Sequence, residues 1–509
     1  MKTIADIAST GKNRILVGLI CLLAVVAYLP AYRVTPFDDD MPHIHNARQY
    51  GLNIFFKDIM FRPVERLVNA VNFMFLDKHA SISITVNILL FVGCILLTFR
   101  LARRIYSGRM LSALISAALF AFHSINASSV FQLDLVSQLL NVFFLLLCVD
   151  RFVLPGSEKK AAYYVSGSVF VMLALFGKET ALGPILVLPA AAFLTYRYGF
   201  KGYSGEALKH SMKLALIVLL CAGIYMLMRG QFSYVKAGIG EAGKDRYAIN
   251  LSPVNLLKNI ALLTGGVVYL GSSLELFVMR TYWRVAVSLF VTGGIVVPGI
   301  AGFLRICRNS RYASPGGPGR GEVNICARTV VMAVMFVSCF FPAILISSVS
   351  EQYSVLFTPF YSVCLGVCIS EGLFNSRTGM ERGLRTAIIL MCVYVMWGAW
   401  GIVEKLDSAA LIGRRAEKYI QQVGEWKTNR LGKTGKISIL VRGDYRDTYP
   451  FTSADYSVFS KTNAELVHGA LLSYGRNSRM FALAESPSQA HDWVVVTRGE
   501  QLLFIKNRK

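Results

Sequence analysis

Hydrophobic positions in this chain gather into long runs, not into the short helical or alternating rhythm of a domain that faces water on one side. Apolar runs fall near 15–33, 81–100, 110–125, 132–152, 162–177, 180–196, 212–228, 285–304, 329–348, 355–373 and 384–402. Most are about 17–25 residues long, enough to cross a hydrocarbon core of ~30 Å. Basic clusters punctuate them at Arg100/Arg103/Arg104/Arg109, Arg151/Lys159/Lys160, Arg197/Lys201/Lys209/Lys213, Arg305/Arg308/Arg311/Arg320/Arg328 and Arg377/Arg382/Arg385. Because basic loops stay on the cytoplasmic side, this order predicts eleven crossings with the N-terminus inside and the C-terminus outside. Residues 254–276 are also apolar enough to cross. A full crossing there would put the Arg-rich 305–328 loop outside, so the segment reads as re-entrant or interfacial and covered by protein.

Beyond residue 402 the rhythm changes. Alternation at Lys436–Val441, Trp493–Val496 and Leu502–Ile505 predicts strands, and 463–473 carries a helical pattern. Thr497-Arg498-Gly499-Glu500 predicts a hairpin turn. The expected fold class is an all-α polytopic membrane protein of about eleven transmembrane helices plus a re-entrant or interfacial segment, spanning 1–402. A small extracytoplasmic α/β domain follows over 403–509. The first outer loop is expected over 34–80.

Composition agrees with a bilayer protein. Hydrophobic residues make up 54% of the 509 and charged residues 16%, and mean hydropathy is +0.50; soluble domains carry roughly 25% charged residues. The net charge of +23 follows from the loop clusters that orient the helices. No basic stripe is interleaved with exposed aromatics, which argues against nucleic acid as a partner. The ten cysteines lie in or beside apolar spans or in the 305–328 loop, without disulfide or metal spacing. The first run lacks a small-residue cleavage site and leads straight into an acidic loop, so it is expected to remain as a span.

With this topology the unusual polar residues fall on the outer face. Asp38, Asp39, Asp40, His43, His45 and Arg62 lie in the first outer loop. His123, Asn126 and Asp134 frame the second, Lys178-Glu179 fill a very short third, and Glu351-Gln352-Tyr353 lie in another. The acidic triplet allows two chemistries: a general base at Asp39 or Asp40, or, with the histidines, a site for a divalent cation such as Mg²⁺ or Mn²⁺. An acidic surface patch is the plain alternative. Lys178-Glu179 is different, because apolar residues bound it on both sides. A lysine beside a glutamate at that depth suggests an anion site with its own counter-charge.

These stretches resemble the GT-C superfamily of membrane glycosyltransferases that use polyprenyl-phosphate-linked sugars, and within it the transmembrane-and-tetratricopeptide mannosyltransferase group. Asp39-Asp40 with Ile44 resemble its first-loop acidic motif, and Arg62-Pro63 with Asn87 its Arg-Pro and downstream Asn. Phe176-Gly177-Lys178-Glu179 with Pro184 resemble its Ser-Lys-Glu motif, and Glu351-Gln352-Tyr353 with Pro359 its Glu-Arg-Tyr motif. Phe122-His123-Ser124 through Asp134 resemble its His-Pro stretch. Gln352 replaces the usual Arg, Ser124 a frequent Pro, and no repeat tail follows. In length and outer C-terminal domain the chain is more similar to bacterial O-antigen-modifying glucosyltransferases.

The resemblance implies an inverting transfer of a hexose, glucose or mannose, from a polyprenyl-phosphate donor to a glycan, lipid or protein hydroxyl. The site would face the periplasm from a bacterial inner membrane. Asp39 or Asp40 would be the base, and Lys178 and Arg62 would face the leaving phosphate with His43 or His45 behind them. Glu179 and Glu351 would orient the lysine or sugar hydroxyls, and 254–276 would line a lipid groove. Protein O-mannosyl transfer is an alternative acceptor chemistry. A transporter or flippase of lipid-linked glycans is the alternative class, but such proteins carry paired repeats, and none is visible. The topology predicts that a cysteine at Ser457 reacts with an impermeant thiol reagent in intact cells, above the background of the unsubstituted chain; protection would invert the C-terminal assignment.

Overall fold

The computed structural model describes residues 12–36, 40, 61–75, 81–106, 109–133, 135–153, 161–199, 204–232, 249–271, 282–312, 320–341, 343–346, 349, 351–374, 380–430, 437–442, 481–483, 493–498 and 501–506. Helix α1 (Lys12–Tyr28) leads to α2 (Pro63–Phe75), α3 (Ser81–Ile105) and the pair α4 (Met110–Ala121) and α5 (Ala127–Phe131). Next come α6 (Val136–Phe152), α7 (Ala161–Gly177), α8 (Leu182–Leu194), α9 (Ser204–Phe232) and α10 (Pro253–Val268). Helices α11 (Tyr282–Tyr312), α12 (Arg320–Ser338), α13 (Thr358–Phe374) and α14 (Met380–Arg430) complete the bundle. Each expected span falls on one of these helices. Among the described residues seven helical stretches are long and apolar enough to cross a membrane, and the bent pair α4–α5 makes an eighth. Helix α10 is shorter, at 16 residues, or about 24 Å at 1.5 Å per residue.

The bundle has a solid interior and an apolar exterior. Helix α6 is its hub: it packs against α3, α7, α2 and the 3₁₀ turn Glu351–Leu356. Leu216, Leu219, Leu220 and Leu227 of α9, by contrast, project outward, as lipid-facing positions do. Helices α11 and α13 approach most closely where Gly302 meets the Cys368 carbonyl and Gly372 meets the Pro298 carbonyl. Small residues let helix backbones come together where no water drives them to associate.

The basic loops meet at one end. Arg100 and Arg104 pair with Asp150 at 3.0 and 2.7 Å, Arg109 pairs with Glu371, and Arg305 donates to the Glu371 carbonyl at 2.8 Å. Arg328 donates to the Ile105 carbonyl at 2.6 Å. Segments that carry these basic clusters are thus joined through Asp150, Glu371 and backbone carbonyls.

Helix α2 lies within the segment 34–80, and α14 runs unbroken through position 403 to Arg430; no proline interrupts 380–430. The strands follow, in the order β2 (Phe481–Leu483), β1 (Ile437–Arg442), β3 (Trp493–Arg498), β4 (Gln501–Lys506). β1 is parallel to β2 and to β3, while β3 and β4 are antiparallel with Arg498 opposite Gln501, as the hairpin signal requires. The 463–473 pattern lies outside the described residues. The sheet docks on α14. Trp426 stacks on Phe504 at 4.4 Å and meets Trp493 edge-on, and the Leu502 N–H donates to Gln422 Oε1 at 2.7 Å.

Replacing Gly302 by Leu should force α11 and α13 apart and cost about 1–3 kcal/mol, the usual cost of overpacking. A thermal unfolding midpoint in detergent unchanged from wild type would contradict this contact.

Candidate functional site

The site is built around a broken helix. Between α4 and α5 the axis turns by 49°, which leaves backbone groups without helical partners in a region that water does not reach. Side chains of the break itself satisfy some of them and tie the break to a distant segment. Asn126 donates to the Phe120 carbonyl at 2.8 Å, and Ser124 Oγ to the Gly271 carbonyl at 2.7 Å. His123 takes the Ile125 N–H on Nδ1 and bonds the Val267 carbonyl through Nε2 at 2.8 Å. This pattern requires the tautomer protonated at Nε2, so His123 is a structural clasp. Asn126 is fully buried and accepts from Thr358.

The segment after α5 presents the first-loop acid. Asn87 donates to the carbonyls of Val130 and Gln132 at 3.1 and 3.3 Å, and the Leu133 N–H donates to Asp40 Oδ1 at 2.8 Å. Asp40 is buried. A carboxylate at that depth retains its charge only where donors hold it. Asp39, His43 and His45 lie outside the described residues.

The third outer loop is a tight turn from α7 into α8. Gly177 ends α7, Lys178 is extended, and Glu179 opens a 3₁₀ turn, Glu179–Ala181, that runs into α8. Arg62 reaches this turn with both arms of its fork: Nε donates to Glu179 Oε2 at 3.0 Å and an Nη to Oε1 at 2.7 Å. Glu65 lies 3.7 Å from Arg62 and 3.9 Å from Arg66. Two carboxylates therefore flank Arg62, while Lys178 is buried with its ammonium 5.3 Å from the centre of the Tyr353 ring. Tyr353 comes from the turn that Glu351 opens; Glu351 is thus at this end, and its side chain is outside the described part. Thr180 accepts from Asn141 of α6 at 2.8 Å. Because α6 and α7 run antiparallel, the start of α6, next to Asp40, and the end of α7, at Lys178, share one end of the bundle.

Sequence reading missed three groups. Helix α2 turns Glu65, Arg66, Asn69 and Asn72 inward and Leu67 and Val71 outward. Its polar spacing at i, i+4 and i+7 was the available signal, hidden because the polar face is the buried one. Arg229, at the end of α9, donates to the Tyr225 hydroxyl at 2.9 Å and lies within electrostatic reach of Glu179. Lys405 of α14 is fully buried and acts electrostatically on His123. Just before Arg62, Phe61 has φ of 50°, a conformation a bulky side chain rarely holds. Its buried ring packs on Phe176 and Tyr225, so packing holds the backbone that aims Arg62. Among the described residues no three His, Cys, Asp or Glu groups converge as metal ligands.

No family model matches the sequence, and no curated protein matches it. The fold has solved counterparts. ArnT from Cupriavidus metallidurans in the apo state matches with a TM-score of 0.51 at 13% identity, covering 94% of this chain and 92% of that chain. The same protein bound to undecaprenyl phosphate matches with a TM-score of 0.48, also at 13% identity and with the same coverage. The chain therefore has the polytopic GT-C type of fold.

Removing Glu179 alone, as Glu179→Ala, should lower stability by about 3 kcal/mol, because the buried guanidinium loses its bidentate partner and keeps only Glu65 at 3.7 Å. The double variant Arg62→Met/Glu179→Leu should lose less, since the guanidinium goes with its partner and Glu65 keeps Arg66. Chemical denaturation in detergent measures both; equal losses would mean the pair is not coupled.

Proposed function

We propose that this chain is an inverting glycosyltransferase. It moves a hexose, glucose or mannose, from a polyprenyl-phosphate carrier to a hydroxyl of a cell-envelope acceptor, either lipopolysaccharide O-antigen or another lipid-linked glycan. The observation that carries the reading is the buried cation Lys178, set at the same end of the bundle as the buried carboxylate Asp40. The GT-C type of fold supports it, and undecaprenyl phosphate, the lipid of the ArnT complex, belongs to the donor class proposed here.

In this mechanism an aspartate of the first loop, Asp39 or Asp40, takes the proton of the acceptor hydroxyl. The acceptor oxygen forms its bond to the anomeric carbon as the bond from that carbon to the phosphate oxygen breaks, which inverts the centre. Polyprenyl phosphate departs as the anion. Such a leaving group needs positive charge more than an acid, and Lys178 supplies it. Arg62 has its fork committed to Glu179, so its role is to fix Glu179, which orients Lys178 or sugar hydroxyls. Glu351, His43 and His45 complete the candidate set. Mg²⁺ or Mn²⁺ at the acidic loop is compatible with this scheme, and none of its steps depends on the ion. The site and the C-terminal sheet face the periplasm of a bacterial inner membrane in this reading.

The test is transfer from radiolabelled polyprenyl-phosphate glucose and mannose to envelope glycolipid by purified protein. Asp39→Asn or Asp40→Asn should lower turnover by at least ~10², the scale of a lost general base. Wild-type rates in both single variants and in the double would remove the base. No transfer from any donor by folded wild type would favour a flippase.

A further inference from the structure

Proteins pair the amides they bury, and beside the candidate site several amide groups are not paired. Asn69 of α2 and Gln138 of α6 are fully buried, and in both the side-chain oxygen and nitrogen have no hydrogen-bond partner among the described residues. Asn141 Oδ1 and Gln132 Oε1 are buried without a partner in the same way. An amide shielded from water with nothing to bond is costly. Four of them on neighbouring elements point to a polar group that they are kept to meet.

Their places follow from the contacts around the site. Gln132 directly precedes Leu133, whose N–H holds Asp40. Gln138 and Asn141 stand three residues apart and so share one face of α6. Asn141 gives its Nδ2 to Thr180, two residues beyond Lys178, and Gly177 lies against the Asn141 backbone. Gln132, Gln138 and Asn141 therefore run from the Asp40 carboxylate to the turn of Lys178 and Glu179. Helix α2 packs on α6 and α7 and brings Asn69 there, one turn beyond Glu65 on its buried face.

Each amide offers two N–H donors and a carbonyl with two lone pairs, without charge. A sugar hydroxyl, which both gives and takes a hydrogen bond, is the matching partner. In the transferase reading the donor's sugar must lie along this same interval, since its anomeric carbon stands between the phosphate at Lys178 and the acceptor oxygen at the first-loop base. Resting on that reading, we propose that Asn69, Gln132, Gln138 and Asn141 bind the hydroxyls of the donor's hexose. They determine specificity for the sugar, separately from Asp39, Asp40 and Lys178, which act where bonds change.

The experiment measures binding by the full chain in nanodiscs, without acceptor. The probes are undecaprenyl phosphate, its glucose and mannose conjugates, and conjugates that lack one ring hydroxyl at a time. Wild type should bind one hexose conjugate about tenfold more tightly than the bare lipid, and loss of a hydroxyl that the amides hold should remove most of that gain. Asn69→Leu and Gln138→Leu keep near-equal volume and should bind the hexose conjugate about tenfold more weakly. Their Kd for the bare lipid should not change, and each should cease to distinguish the hexose from one deoxy conjugate, as coupled partners do. Folded variants with wild-type Kd for the hexose conjugate would make these amides structural groups bridged by water, and would overturn the proposal while leaving the transferase reading standing. Equal Kd across the deoxy series in wild type would overturn it without any variant, as would equal binding of bare and hexose-bearing lipid. The transferase reading itself is decided apart from these, by whether wild type transfers label at all.

Discussion

Inside a bilayer a bent helix is costly unless protein replaces the hydrogen bonds that the bend removes. The turn between α4 and α5 is such a bend, and much of this end of the molecule is arranged around it. His123 ties it to the end of α10 and Ser124 to the stretch after it, Asn126 ties it to α13, and Asn87 ties the following segment to α3. Tyr394 of α14 braces it from behind through the Leu119 carbonyl, and Gly398, one turn on, leaves room for the Phe122 carbonyl. Satisfying one break therefore draws four distant parts of the chain to one end. Asp40 arrives there as another such partner, on the Leu133 N–H.

The same economy shapes the charges. Buried ions persist when paired and expose the protein to loss of stability when a partner is removed. Arg62 is enclosed by Glu179 and Glu65, so it behaves as part of the scaffold. Lys178 lies over an aromatic face, which steadies a cation, and within electrostatic reach of Glu179. Two basic residues that look equivalent in sequence are thus held in different ways, one in a bidentate pair and the other over a ring.

The spans were legible because length and hydropathy alone decide whether a segment can cross. The hairpin at 497–500 was legible for a similar reason, since its turn residues and flanking alternation are local. Helix α2 was not, because burial inverts its usual pattern: Glu65 and Asn69 face in while Leu67 and Val71 face out. β2 was hidden by its three-residue length. The parallel pairing of β1 with β3 depends on contacts far apart in sequence. At the site, the motif residues Arg62, Lys178, Glu179 and Asn87 stood out from their apolar surroundings. Arg229 and Lys405 did not, because one sits at a helix end and the other within a charged stretch, where a basic residue needs no special explanation.

Helix α14 has a consequence of its own. It carries no break from Met380 to Arg430, and the sheet is bolted to it by Trp426 and Gln422. From Lys405, at the level of His123, to Trp426 is 21 residues, or about 32 Å at 1.5 Å per residue. The helix therefore works as a ruler. It sets, by residue count, the height at which the sheet stands above the buried end of the bundle, and any partner the sheet engages is held at that stand-off.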